Sequence, residues 1–157
     1  MNVTGDAGIV HGDAQRLHQV VTNLVENAIK FTPPGGEVTV ASWREGGEAG
    51  VTVTDNGAGI PADLREHVFD RFFRADPSRS RESGGSGLGL AICYEVAASH
   101  GGRIWVDSEE GRGSSFSIAL PVGDREPVPA PAGARSRFGI CAPEGTVRSV
   151  LFRGRLT

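Results

Sequence analysis

The chain has 157 residues, 38% of them hydrophobic and 22% charged, with a net charge of −3, a profile that suits one soluble globular domain with room for a tail. That balance leaves no basic footprint for nucleic acid or an anionic membrane surface. No apolar run of roughly 18 residues offers a membrane span, and residues 1–6 lack the basic and apolar regions of a signal peptide. Cys93 and Cys141 form no CxxC or Cys/His ligand pattern, so they read as free thiols of a reducing compartment, and the expected location is the cytoplasm.

In chain order, Ile9-Val10-His11 reads as a short strand ended by Gly12. Asp13 is a good N-cap for a long amphipathic helix running to about Phe31. Leu17, Val20, Val21, Leu24, Val25, Ala28 and Ile29 supply its apolar stripe. Thr32-Pro33-Pro34-Gly35-Gly36 breaks that helix. Residues 37–43 alternate polar and apolar, and residues 50–55 form a second strand across the turn Glu45-Gly46-Gly47-Glu48, together predicting an antiparallel hairpin. Residues 56–87 carry mostly loop signals, with one short helix near residues 62–67. A helix follows from about Leu88 to His100, closed by Gly101-Gly102, and residues 103–108 and 114–120 read as two more strands. After Val122 the chain is rich in Pro, Ala, Gly and Arg without periodicity and is expected to be loosely ordered. This succession predicts an α+β fold: a two-layer α/β sandwich, its helices over one face of a mixed, mainly antiparallel sheet. The expected division is a remnant at residues 1–8, one domain at 9–122 and a tail at 123–157.

Four clusters carry chemistry. In Asn23-Leu24-Val25-Glu26-Asn27-Ala28-Ile29-Lys30-Phe31, helical geometry puts Asn23, Asn27 and Lys30 within roughly 60° of one another. An amide oxygen is a hard ligand suited to Mg²⁺, and an ammonium suits a phosphate. The competing reading is a solvated helix face with Glu26 and Lys30 as an i,i+4 ion pair. In Val53-Thr54-Asp55-Asn56-Gly57-Ala58-Gly59-Ile60, a carboxylate at a strand end precedes two glycines. It could accept a hydrogen bond from an exocyclic amine such as that of adenine, although Asn-Gly is equally a turn signal. In Gly84-Gly85-Ser86-Gly87-Leu88-Gly89-Leu90, glycine-rich backbone runs into a helix start and presents N–H groups to phosphates. It is neither a Walker A motif nor a Rossmann fingerprint, and a flexible linker is the alternative. Between them, Val68-Phe69-Asp70-Arg71-Phe72-Phe73-Arg74-Ala75-Asp76 opens a long loop, residues 70–86, holding Arg71, Arg74, Arg79 and Arg81. Its length favours a functional lid over a solvated insertion.

In this order and spacing, the four clusters resemble the N, G1, F and G2 boxes of the histidine kinase ATP-binding domain, within the superfamily that includes gyrase, Hsp90 chaperones and MutL ATPases. The resemblance covers about residues 9–122 and extends to His100-Gly101-Gly102-Arg103-Ile104 and Gly111-Arg112-Gly113-Ser114-Ser115-Phe116. It implies the Bergerat fold, with ATP and Mg²⁺ bound. It makes Asn27 the metal ligand, Asn23 a helper near metal and phosphates, Lys30 a phosphate contact and Phe31 the aromatic beside the adenine. Asp55 reads the adenine amine, Gly57 and Gly59 let the base approach, and Gly85, Gly87 and Gly89 form the lid hinge and phosphate cradle. Arg74 reaches phosphate from the lid, and the same carry-over brings Ile60, Phe69, Ser86 and Leu88 to the nucleotide.

The position at which the ATPase branch carries a water-activating glutamate holds Asn23, which cannot act as a base. The resemblance thus implies a protein histidine kinase that keeps the γ-phosphate for a histidine on a dimerisation segment, for relay to a response regulator in a two-component system. No nucleic acid and no direct membrane contact are implied for the domain itself, although an intact protein of this type can be membrane-anchored. His11, His18, His67 and His100 are not followed by the acidic, apolar, Arg and Pro pattern of a phosphoacceptor. Family members carry a two-helix dimerisation segment before this domain; that segment and the domain's own first strand and helix are expected to be missing here before Ile9. The alternatives are a truncated, inactive nucleotide-binding module and a serine kinase of the anti-sigma type.

Overall fold

The computed structural model describes residues 10–73 and 87–122. Ile9, the lid arginines Arg74, Arg79 and Arg81, the glycines Gly84 and Gly85, Ser86 and the tail from residue 123 lie outside the described residues.

Helix α1 spans Ala14–Phe31. The Asp13 carboxylate accepts from the backbone N–H groups of Gln15 and Arg16 at 3.0 and 3.1 Å, satisfying two of the orphan donors that every helix start leaves. Its far end is closed by Thr32, whose hydroxyl donates to the Ala28 carbonyl at 2.6 Å, just before the two prolines forbid continuation. Val20, Leu24 and Ala28, four apart, are the fully buried positions. Strands β1 (Val38–Glu45) and β2 (Glu48–Asp55) form the expected hairpin, with Glu45 opposite Glu48 and Gly46 and Gly47 both at positive φ in the two-residue turn. The loop signals of residues 56–73 resolve into turns and one 3₁₀ turn, Arg65–His67. The helix expected near residues 62–67 is corrected to that single turn. Pro61 precedes a stretch too short to repay helix nucleation.

Helix α2 spans Gly89–Ser99 and is apolar on most sides, burying Ala91, Cys93, Val96 and Ala97. Gly101 has φ 69°, its N–H bonds the Ala98 carbonyl, and the Gly102 N–H bonds the Ala97 carbonyl, the paired closure that a glycine after a helix allows. Strands β3 (Arg103–Glu109) and β4 (Gly113–Pro121) complete a four-stranded sheet of order β1-β2-β4-β3.

Val53, Ile104, Phe116, Ile118 and Leu120 turn one sheet face toward Val20, Leu24, Val96 and Cys93 of the two helices, the two-layer arrangement the pattern predicted. Two expectations change. Every described strand pair is antiparallel, so the mixed character expected of the sheet is absent among the described residues. Val10 and His11 pair with no strand among the described residues; instead Gly12 lies against the ring of His100.

Candidate functional site

Helix α1 is the wall on which the site is built. Near its middle, the half-buried Asn23 donates from its amide to the Gly89 carbonyl at 3.3 Å, joining α1 to the start of α2. At its C-terminal end, the Phe31 carbonyl accepts from the Ala58 N–H at 3.4 Å, joining α1 to the loop after β2. Asn27 sits one helical turn from each contact, about 6 Å along the axis either way. Its amide is half-buried and has no hydrogen-bond partner among the described residues. Three of the four sequence clusters thus meet along one helix face.

Asp55 ends β2 and is 6% exposed. Burial raises its carboxyl above the ordinary value of 3.8, opposed by hydrogen bonds from the backbone N–H groups of Gly57 and Ser114. The Gly57 bond is 2.8 Å long. This is a poorly hydrated acceptor held by two main-chain donors.

The glycines around Asp55 are required by packing as well. A Cβ on Gly57 would stand 2.3 Å from the Phe31 carbonyl oxygen, and one on Gly59, at φ 67°, would stand 2.0 Å from the Glu109 carbonyl oxygen. Their missing side chains let the loop close against α1 and the β3–β4 turn, so they shape the site through packing of backbone on backbone.

Lys30 and Phe31 are exposed at the end of α1, with the Lys30 Nζ 5.4 Å from the Phe31 ring centre. No Glu26–Lys30 ion pair forms among the described residues, so the solvated-face reading loses its main contact. Gly87 has φ 69°, and its carbonyl accepts from the Phe72 N–H at 3.0 Å, which brings the two ends of the intervening segment together. Phe72 itself has φ 65°, a conformation that costs a non-glycine residue energy. Leu88 caps α2 through its carbonyl, which accepts from Ile92 at 2.9 Å.

Two residues expected at the ligand serve the scaffold in the described structure. The Phe69 ring packs against Phe116 edge-on at 6.3 Å and against Tyr94 at 6.4 Å, anchoring the loop to the core. Ile60 packs on the core, and its N–H donates to the Ser108 hydroxyl at 2.8 Å. Ser108 and Ser114 carry no sequence signal as site residues. The β2–β4 pairing sets Ser114 opposite Asp55, and the β3–β4 pairing sets Ser108 opposite Ser114.

A hollow of about 380 Å³ opens at the same end of the sheet, lined by Thr54, Asp55, Arg65, Asp107, Arg112 and Ser115 among others. It takes no residue from α1 or from residues 87–89. Thr54, Asp107 and Ser115 alternate with core positions and so face away from the helices. Asp55 is common to this hollow and to the group of residues gathered at α1.

Comparison with known proteins bears on the same residues. The family described as histidine kinase-, DNA gyrase B- and HSP90-like ATPase matches residues 12–124. The sensor-like histidine kinase SenX3 of Mycobacterium tuberculosis is 50% identical over 113 residues, covering 72% of this chain and 28% of that protein. The adaptive-response sensory kinase SasA of Synechococcus elongatus is 42% identical over 122 residues, covering 77% and 31%. The chain spans about a third of the length of the curated relatives it matches.

Among solved structures, the mycobacterial sensor histidine kinase MprB superposes with a TM-score of 0.62 at 42% identity, over 71% of this chain and 74% of that one. Full-length ShkA in complex with AMPPNP superposes with a TM-score of 0.60 at 33% identity, over 76% and 24%. These matches mean that the chain belongs to the histidine kinase-, DNA gyrase B- and HSP90-like ATPases, as an ATP-binding catalytic domain of the sensor histidine kinase type.

Proposed function

We propose that this domain binds Mg·ATP along the exposed edge of α1 and offers the γ-phosphate to a histidine on a dimerisation segment, whose phosphoryl group then passes to a response-regulator aspartate. The observation that carries the reading is the double tie of α1, to Gly89 through Asn23 and to Ala58 through Phe31, with Asn27, whose amide has no partner among the described residues, between.

The buried Asp55 carboxylate accepts the adenine amine, and Phe31 and Lys30 border the base and the phosphates. The backbone at residues 87–89 faces the phosphates with the N-terminal end of α2. Arg74, Gly85 and Ser86, from the segment between Phe73 and Gly87, complete the phosphate contacts. The described residues contain no cluster of three acidic, histidine or cysteine ligands, which fits Mg²⁺ held by one amide oxygen, from Asn27, together with phosphate oxygens and water. Bound there, the cation would neutralise charge on the phosphates.

Asn23 carries no basic group, and its amide is engaged with Gly89. Glu26 lies roughly 100° around the helix from Asn27, so positioning and charge neutralisation supply the catalysis and hydrolysis stays slow.

Titration calorimetry with Mg·ATP tests the binding half. Incubation with labelled ATP and a separately supplied dimerisation segment of a related kinase tests transfer, and the product should be acid-labile phosphohistidine. An acid-stable phosphoserine product, or no transfer despite nucleotide binding, contradicts the proposal.

A further inference from the structure

The start of α1 is capped from another helix. In a capping box, a Glu or Gln three positions after the cap bonds back to the cap N–H; here that position is Arg16. The Asp13 N–H instead donates to Nε2 of His100, at the end of α2, at 3.0 Å across 87 residues of sequence. The other ring nitrogen, Nδ1, lies 2.8 Å from the Val96 carbonyl oxygen.

A carbonyl only accepts and a backbone N–H only donates, so both contacts are satisfied by a single species: neutral imidazole with its proton on Nδ1. The ring seats because residue 12 is glycine. A Cβ there would stand 2.6 Å from His100 Cδ2 and 2.9 Å from Nε2.

We propose that His100 is a positioning residue for the nucleotide site. The inference rests on the reading given under Proposed function. Helices α1 and α2 run in opposite directions, tied at one end by Asn23 to Gly89 and at the other by Asp13 to His100. A triphosphate that reaches from Asn27 on α1 to the backbone at residues 87–89 requires these two helices to be held in axial register. The base site around Asp55 draws on β2, β4 and the loop after β2, which meets α1 at the Phe31 carbonyl and makes none of these contacts with α2. His100 thereby acts through α1 on the phosphate half of the site while touching no ligand.

The test compares His100→Leu, which fills the space without an acceptor, with His100→Gln, whose amide oxygen can accept the cap N–H. Both are made in the full chain and titrated with Mg·ATP and with adenosine. His100→Leu should weaken Mg·ATP binding by roughly three- to tenfold, the usual worth of one hydrogen bond. Adenosine binding should stay unchanged, and His100→Gln should recover most of the loss. Equal losses for both ligands, or no loss for either, overturn the inference.

A second measurement needs no variant. Long-range ¹H–¹⁵N spectra of the wild-type His100 ring should show a protonated Nδ1 and a bare Nε2, and the reverse tautomer overturns the inference. Wild-type protein that binds adenosine but not Mg·ATP would instead strike the underlying functional reading, and the inference with it.

Discussion

Asp55→Asn is the substitution that isolates the proposed base reader. The two side chains have the same shape, and the amide oxygen of the variant can keep the 2.8 Å bond from the Gly57 N–H. The other terminal atom then becomes an NH₂ group. In the proposed site it would face the adenine amine, itself a donor.

A hydrogen bond to an ionised acceptor contributes about 1.5–3 kcal/mol, so ATP affinity should fall by roughly ten- to 150-fold. GTP, which carries a carbonyl at the corresponding ring position, should lose nothing or gain. The wild-type carboxyl also gives a pH signature. Burial raises its pKa in the folded protein, so the native state binds the proton more readily than the unfolded chain. The stability cost of the buried charge is therefore present above the raised pKa and is relieved as pH falls through it.

Over that same fall, ATP affinity should decline, because the protonated carboxyl presents a donor to the adenine amine. The Asp55→Asn protein should show no such decline. Titration calorimetry of both proteins with ATP and GTP, from neutral pH down toward the carboxylate range, reads all of this. Equal loss for ATP and GTP, or parallel pH profiles in the two proteins, would refute the assignment of Asp55.

Three further outcomes follow from particular contacts. Asn27→Ala should abolish metal-dependent nucleotide binding while leaving the fold intact, since the amide makes no described bond; unchanged affinity for Mg·ATP by calorimetry counts against it as the metal ligand. Gly57→Ala forces a methyl group to within 2.3 Å of the Phe31 carbonyl oxygen and 2.9 Å of the Asp55 carboxylate, so stability should drop by about 1–3 kcal/mol, measured by urea unfolding, with adenine affinity falling alongside. Leu24→Ala empties a fully buried core position on α1 and should cost about 2–5 kcal/mol by the same measurement.

Local chemistry makes part of the fold legible. Asp13, the stripe through Val20, Leu24 and Ala28, and Pro33-Pro34 define α1 at both ends. Gly46-Gly47 sets the register of the first hairpin, and Gly101 stops α2. The signals fail where a feature depends on distant parts of the chain. The sheet order β1-β2-β4-β3 inserts the last strand beside the second, and only that insertion brings the Ser114 N–H to Asp55 and Ser108 beneath Ile60.

Gly57 and Gly59 are legible in the sequence as necessary glycines. Their neighbours, the carbonyls of Phe31 and Glu109, are not, so the close approach they permit reads from sequence as room for a ligand. Phe69 sits in a motif that resembles a ligand-binding box, yet its ring fills a core space between Phe116 and Tyr94. The imidazole cap on α1 cannot be read at all, because its two halves lie 87 residues apart.

Cys93 is a free thiol, as the cysteine spacing suggests, and its burial pushes the pKa up to about 11, which keeps it protonated and unreactive at neutral pH. Among the described residues no helix is long and apolar enough to cross a membrane.

The most direct test of the central claim is a backbone amide NMR titration with a non-hydrolysable Mg·ATP analogue. Signals from residues 23–31, 55–60 and 87–89 should shift together along one binding curve, with a single dissociation constant. Shifts confined to one of these segments, or segments following different curves, would contradict a shared nucleotide site on the face of α1.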